Sequence, residues 1–283
     1  MSFVADGLVV RRQRQRIWFE QWLREGYSIR QLSAQSGHGE RTLRRVVGYW
    51  LNRPPVDRCD LSTHRHLIID GTYLHGRRGA VVVVMDAATH AVIAGAYGIK
   101  EGSAQMGAFC TALVSRGLSP ISITTDGHTG LLRVLRTLWP QAILQRCLFH
   151  IQIQGLDWCR RKPKRRDARR LAALLQHLLA IDTPPQRDAF LDDLCDWESR
   201  YGWRLALQRE TGWVTSDLIR ARSMIAKAVP DMFHYLDNPA IPRTTSAVEG
   251  YYGRLKPLYA RHRGLAPPRR THYFQWFLHL CQR

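Results

Sequence analysis

Between residues 66 and 147 the chain alternates short β-prone runs with turns and two helical stretches, and that order leaves few folds open. HLIID (66–70), AVVVV (80–84) and AVIAGAYG (91–98) are separated only by the turns HGRRGA and DAATH, which predicts an antiparallel meander. SAQMGAFCTALVSR (103–116) places Met106, Phe109, Cys110 and Leu113 on one helical face, and Gly117 ends it. ISITTD (121–126) is a fourth strand, TGLLRVLRTLW a helix and QAILQRC a fifth strand. A β-α-β step needs a crossover, so the fourth strand must run parallel to a neighbour. The expectation is an α/β domain with a mixed five-stranded sheet and flanking helices.

Asp70 and Asp126 share a context: each closes an apolar strand run, and glycine follows each. A carboxylate beside a buried strand is costly unless something compensates it. A metal ion would do so; a single strand-end Asp is more often a turn former. Asp86, between VVVV and AATH, fits that plainer role.

The first fifty residues read as three short helices. Residues 10–25 carry Phe19, Trp22 and Leu23 at helical spacing, and Gly26 stops them. SIRQLSAQSG opens on Ser28, with Gln31 placed as in a capping box. In ERTLRRVVGYWL, Leu43, Val46, Val47 and Trp50 form the apolar back, while Arg41, Arg44 and Arg45 lie on the opposite face or flank. This is the pattern of a helix-turn-helix DNA reader, and also of a small bundle with a solvated basic face. We place this domain at 1–52 and a proline-containing linker at 53–64.

From about 151 to 240 the pattern is helical, with Leu171, Leu174, Leu175, Leu178 and Leu179 in one stripe and a Thr-Pro-Pro helix start at 183–185. Trp197, Trp203 and Trp213 are expected in the core, with base stacking as the rarer role. CRRKPKRRDARR (159–170) holds eight Lys or Arg in twelve residues. Its Arg160, Arg161, Lys162, Lys164 and Arg165 suit a phosphate backbone, although such runs are usually just solvated.

The net charge of +19 points to a polyanionic partner, most simply nucleic acid. No apolar run is long enough for a membrane span. The N-terminal charge follows the apolar residues, the wrong order for a signal peptide. Six scattered cysteines without a C-x-x-C pair read as free thiols in a reducing, cytoplasmic setting.

Glu249, in RTTSAVEGYYGRLK, is the last acid of the chain; the 34 residues after it hold seven Lys or Arg. An acid in the first turn of a helix is favoured by the helix dipole, which explains its position but not the absence of acids beyond it.

LIIDGTYL, ISITTDGHTGLL, QRCLFH and TTSAVEGYYGRLK, in this order within 66–283, resemble the DDE transposases of the Mutator-like, bacterial insertion-sequence type. These belong to the RNase H-like superfamily of polynucleotidyl transferases. The resemblance implies an RNase H-like catalytic core, 65–150 and 241–283, interrupted by an all-helical insertion at 151–240. It implies Asp70, Asp126 and Glu249 as the catalytic, metal-holding residues, with two Mg²⁺ ions for which Mn²⁺ can substitute. Water would release a 3′-OH at an element end, and that 3′-OH would then attack target DNA. Cys147 and His150 match the family's Cys-x-x-His signature near the active site. Double-stranded DNA is the implied partner, bound by a homo-oligomer, a dimer, at the nucleoid.

On that reading DNA lies along the Glu249 helix, with Arg254, Lys256, Arg261, Arg263, Arg269 and Arg270 on phosphates. Ser246 stands where the family commonly has Asn, and the N-terminal region is shorter than in many relatives. The alternatives are a metal-dependent endonuclease without strand transfer and a non-catalytic DNA-binding protein, either a repressor or a decayed transposase. Zinc held by Cys147, His150 and Cys159 is a weaker reading, because a fourth ligand is missing.

Overall fold

The five β-prone runs form β1 (His66–Tyr73), β2 (Ala80–Asp86), β3 (Val92–Tyr97), β4 (Ser122–Thr125) and β5 (Ile143–Arg146) in the computed structural model. It describes residues 3–56, 59–74, 80–99, 104–207, 212–262 and 264–282. Most of the HGRRGA turn, and Arg263, lie outside the described residues. The strands make one mixed sheet in the order β3-β2-β1-β4-β5. β2 and β3 pair antiparallel, with Val82 opposite Ala96. β4 runs parallel to both β1 and β5, as the crossovers require. β1 does not stop at Asp70 but continues to Tyr73; its pairing with β4 ends at Ile69↔Thr125.

The chain divides into two compact units. The first holds Met1–Thr63, Gly71–Leu118 and Ala247–Arg283. Its helices are α1 (Phe3–Arg24), α2 (Ile29–Ser36), α3 (Glu40–Leu51), α4 (Ala104–Val114), α12 (Ser246–Ala260, from its second residue) and α13 (Pro267–Leu280). Ser28 caps α2 in a full capping box with Gln31. On α3, Leu43, Val46 and Val47 are buried, Trp50 is half-buried, and Arg41, Arg44 and Arg45 are exposed, so the helix sorts as its sequence pattern indicates. Aromatic residues of α13 hold this unit together. Trp276 packs edge-on against Phe19 at 5.0 Å and donates its indole N–H to the Trp50 carbonyl at 2.8 Å. Tyr273 meets Trp22 at 5.8 Å, and Phe274 stacks on Tyr97 of β3 at 4.3 Å.

The second unit holds His64–Asp70 and Ser119–Ser246. It contains the first part of β1, then β4, β5 and the helices α5 (Thr129–Leu138), α6 (Leu148–Cys159), α7 (Arg166–Gln176), α8 (Pro184–Trp197), α9 (Trp203–Ala206), α10 (Trp213–Ala228) and α11 (His234–Asp237). The helices after β5 share a core, in which Leu148, Ile151, Leu171, Leu175, Phe190, Trp197, Leu218 and Ile225 are buried. Thr183 caps α8 with the prolines in its first turn. The leucine stripe is not one helix: α7 ends at Gln176, and Leu178 sits in a separate 3₁₀ turn. Of the three tryptophans expected in the core only Trp197 is buried; Trp203 is 51% and Trp213 84% exposed. Both lie at helix starts, where one turn offers little to pack against.

Candidate active site

Parallel pairing of β1 with β4 sets Ile69 opposite Thr125, so the next residues, Asp70 within β1 and Asp126 just past the end of β4, follow at the same level. Adjacent strands lie about 4.8 Å apart, which brings two carboxylates to one sheet position. Asp70 is buried. Asp126 is half-buried, and its Oδ1 accepts from the His128 amide at 2.9 Å and, more weakly, from Thr125 Oγ1 at 3.4 Å. Its Oδ2 has no protein hydrogen-bond partner among the described residues and is available to a ligand. Asp86 behaves otherwise. Its Oδ1 accepts from the amides of Ala88 and Thr89 and from the Thr89 hydroxyl, a self-contained turn.

The next strand adds a cation. Arg146 ends β5 opposite Thr125, and its Nη2 donates to the Asp126 carbonyl at 3.2 Å. The side chain is buried, and its Nε–H has no partner among the described residues. Burial pushes the guanidinium down from its usual value, and the charges of Asp126 and Asp231 oppose that push; it remains a cation. Gly127, at φ +89°, lies under this guanidinium. A Cβ at 127 would stand 1.8 Å from Arg146 Nε, so glycine is needed both for the backbone conformation and for the space.

Cys147 and His150 begin α6. Cys147 is wholly buried and sits at the N-cap position. The Thr245 amide donates to its Sγ at 3.3 Å, while Thr245 Oγ1 lies 3.5 Å from both Sγ and His150 Nδ1. Burial alone would raise the thiol; hydrogen bonding and charge from His150, together with Thr245, outweigh it and bring it below 9.0. The His150 imidazole is pushed up to about 9, chiefly by its hydrogen bond to Cys147 against the cost of burial, with the charges of Cys147, Asp70 and Asp126 adding to the rise. The negative charges of Asp70 and Asp126 thus favour the charged imidazole of His150. Cys147 has no solvent access, so the sulfur serves as a structural acceptor, not as a nucleophile.

The same bonds anchor a strap before α12. Thr124 Oγ1 donates to the Pro242 carbonyl at 2.7 Å, and the Leu148 amide donates to the Arg243 carbonyl at 2.9 Å. Glu249 lies in the first turn of α12 and is half-buried. Among the described residues no group of three or more His, Cys, Asp or Glu is gathered so as to hold a metal ion. Zinc on Cys147, His150 and Cys159 is excluded more simply. Cys147 and Cys159 sit at opposite ends of α6, roughly 18 Å apart at ~1.5 Å per residue. None of the six cysteines forms a disulfide among the described residues.

A family model described as "Transposase, Mutator family" matches residues 6–202. The chain belongs to the Mutator family of transposases. The matched span includes Asp70, Asp126, Arg146, Cys147 and His150 and ends before Glu249. A search of curated proteins finds no match to this transposase. No described helix is long and apolar enough to cross a membrane.

The basic residues expected on DNA divide into two groups. Arg41, Arg45, Arg161, Lys162, Lys164, Arg254 and Lys256 are exposed. Others have internal duties: Arg44 pairs with Glu40 at 2.6 Å, Arg160 with Asp217, and Arg165 with Asp167 at 2.7 Å. Arg261 donates to the Glu25 carbonyl at 3.0 Å, where α1 ends. Sequence reasoning missed Arg146 and Thr245. The available signal was an arginine closing the strand ILQR directly before the Cys-x-x-His stretch.

Proposed function

We propose that this transposase cleaves DNA at the ends of a mobile element and joins the freed 3′-OH ends to target DNA, with Asp70, Asp126 and Glu249 as its acidic residues. The observation that carries the reading is the placement of Asp70 and Asp126 at the same level of two paired parallel strands in a chain of this family. The donors are hard oxygens, and Asp126 Oδ2 has no protein partner. This fits Mg²⁺ or Mn²⁺, which often bind through one or two carboxylates plus substrate phosphates. Held by Asp70 and Asp126, with Glu249 as the third carboxylate, the ions would supply an activated oxygen nucleophile and charge stabilisation at the phosphate.

The chain's own residues do the rest. His150, whose imidazole is pushed up by Cys147 with help from the charges of Asp70 and Asp126, is read as offsetting the negative charge of the two aspartates. Arg146 and Gly127 fix the backbone that presents Asp126. Water attack opens the phosphodiester and leaves a 3′-OH, and that hydroxyl attacks a target phosphodiester in turn. The core is read as RNase H-like, and α2–α3 as a helix-turn-helix that places Arg41, Arg44 and Arg45 on the element end. Arg254 and Lys256 of α12 are read as phosphate contacts, and a homodimer as the form that pairs two ends.

The test is nicking of supercoiled plasmid with Mg²⁺, Mn²⁺ or EDTA, beside Asp126→Asn and Glu249→Gln. Metal-dependent nicking that both variants lose while still binding DNA supports the reading. Normal nicking by Glu249→Gln removes that residue from the site. Pre-cut 3′-OH ends that never join target DNA would make the protein an endonuclease.

A further inference from the structure

A large cleft of the second unit opens at Asp126. It has a volume of about 1060 Å³ and is walled by α5, α6 and α10. Its lining holds five Lys or Arg and a single carboxylate, Asp126, so it suits an anion. Arg136 is partly neutralised by Asp231 at 2.7 Å, and Arg220 lies 3.6 Å from Asp217. Arg133 on α5 and Lys227 on α10 are exposed and make no ion pair among the described residues. At the Asp126 end stands the buried Arg146, whose Nε–H has no partner among the described residues. The rest of the lining is different in kind: half-buried Trp158 and Met224 give it aromatic and apolar surface.

This combination selects the ligand. A duplex keeps its base faces stacked inside and offers a protein mainly phosphates and groove edges. Cations together with an aromatic face match a single strand, whose bases can leave the stack while its phosphates follow the basic groove. We propose that the cleft is a track for one unpaired DNA strand running to the phosphate at Asp126, with Arg133 and Lys227 on its phosphates and Trp158 against a base. The assignment deepens the proposed DNA-cleaving role and rests on it for the identity of the strand. It also gives the helical insertion a task, because α10 supplies one wall.

The experiment uses the full chain in EDTA, with short fluorescent oligo-dT and a blunt duplex as separate probes. The variants are Arg133→Ala/Lys227→Ala, Trp158→Ala and Trp158→Phe, and melting curves verify folding. The expected result is a roughly tenfold loss of oligo-dT affinity in the double variant, with duplex affinity within about twofold of wild type. Trp158→Ala should lose several-fold and Trp158→Phe should recover most of it. In addition, oligo-dT carrying one 4-thiothymidine should cross-link to the peptide containing Trp158. Unchanged oligo-dT affinity in the double variant, an equal loss for both probes, or cross-links confined to residues 160–165 or 41–45 would each overturn the track. Plasmid nicking by wild type is measured in parallel. If wild type nicks while the double variant binds oligo-dT normally, the track fails and the cleavage reading stands. If oligo-dT binding depends on the cleft but nothing is cut, the cleavage reading fails and the strand site stands.

Discussion

The backbone amide of Thr245 donates to the sulfur of Cys147 at 3.3 Å, joining residues 98 positions apart. Four residues beyond Thr245 comes Glu249, on the helix this contact introduces. The sulfur therefore bears on where α12 begins. Cys147→Ala should cost about 1 kcal/mol of stability, the usual worth of a buried hydrogen bond. Thr245→Val, which removes the hydroxyl and keeps the amide, should cost a similar amount. If Glu249 is catalytic, as proposed, both should lower DNA cleavage by roughly tenfold or more, since small displacements of catalytic groups are expensive, while DNA affinity stays unchanged. Cys147→Ser retains an acceptor and should recover part of the loss. Full cleavage by Cys147→Ala would show that the contact is packing alone.

Gly127 and Arg146 form a second coupled pair. Gly127→Ala faces both a left-handed φ of +89° and a Cβ 1.8 Å from Arg146 Nε. The backbone strain alone is of order 1–3 kcal/mol, and the clash adds to it. Arg146→Ala should remove the clash but not the strain, so the double variant should be less unstable than the sum of the singles. Denaturant melts of the four proteins provide the cycle; strict additivity would mean that the guanidinium does not lie over Gly127.

Much of this architecture was legible in the sequence, and the reasons are local. β-prone runs bounded by glycine and polar turns gave the strand positions, and the capping box at Ser28 gave α2 to within a residue. The crossover rule gave the parallel pairing that sets Asp70 beside Asp126. What was hidden depends on the chain returning to itself. Thr245 at Cys147 and Pro242 at Thr124 are long-range contacts with no periodic signature. The tryptophans mislead because bulk and aromaticity say nothing about whether a helix start has a neighbour: Trp197 is covered, Trp213 is not. Arg146 reads as a strand-end surface residue until Gly127 is found beneath it.

The exposed arginines of α3 yield a prediction about binding. Arg41 and Arg45 are exposed and make no ion pair among the described residues, whereas Arg44 is held by Glu40. If α3 is the recognition helix, Arg41→Ala and Arg45→Ala should each weaken binding to DNA flanking the gene and reduce the salt slope by about one. Arg44→Ala should do less, because its charge is already shared. Titration of a labelled duplex over a salt series measures this. A larger effect from Arg44→Ala than from its neighbours would place α3 differently on DNA.

His262 supplies a pH dependence in the first unit. Its ring lies 4.1 Å from Trp22, and Nε2–H donates to the Trp22 carbonyl at 2.9 Å. Burial pushes the imidazole down from 6.5 to about 4, against the hydrogen bond to Trp22 and with help from the positive charge of Arg261. The unfolded chain thus takes up this proton at higher pH than the folded one. The stability that neutral His262 supports is complete above about pH 6.5 and is lost progressively as the pH falls to about 4. At ~1.4 kcal/mol per pH unit the whole effect is of order 3 kcal/mol. Melting temperatures from pH 7.5 downwards should fall more steeply for wild type than for His262→Gln, which keeps a donor for Trp22 but does not titrate. Because other groups titrate in both proteins, the difference between the two curves is the quantity to read. Parallel curves would mean that His262 is protonated in the folded state or reaches water on this timescale.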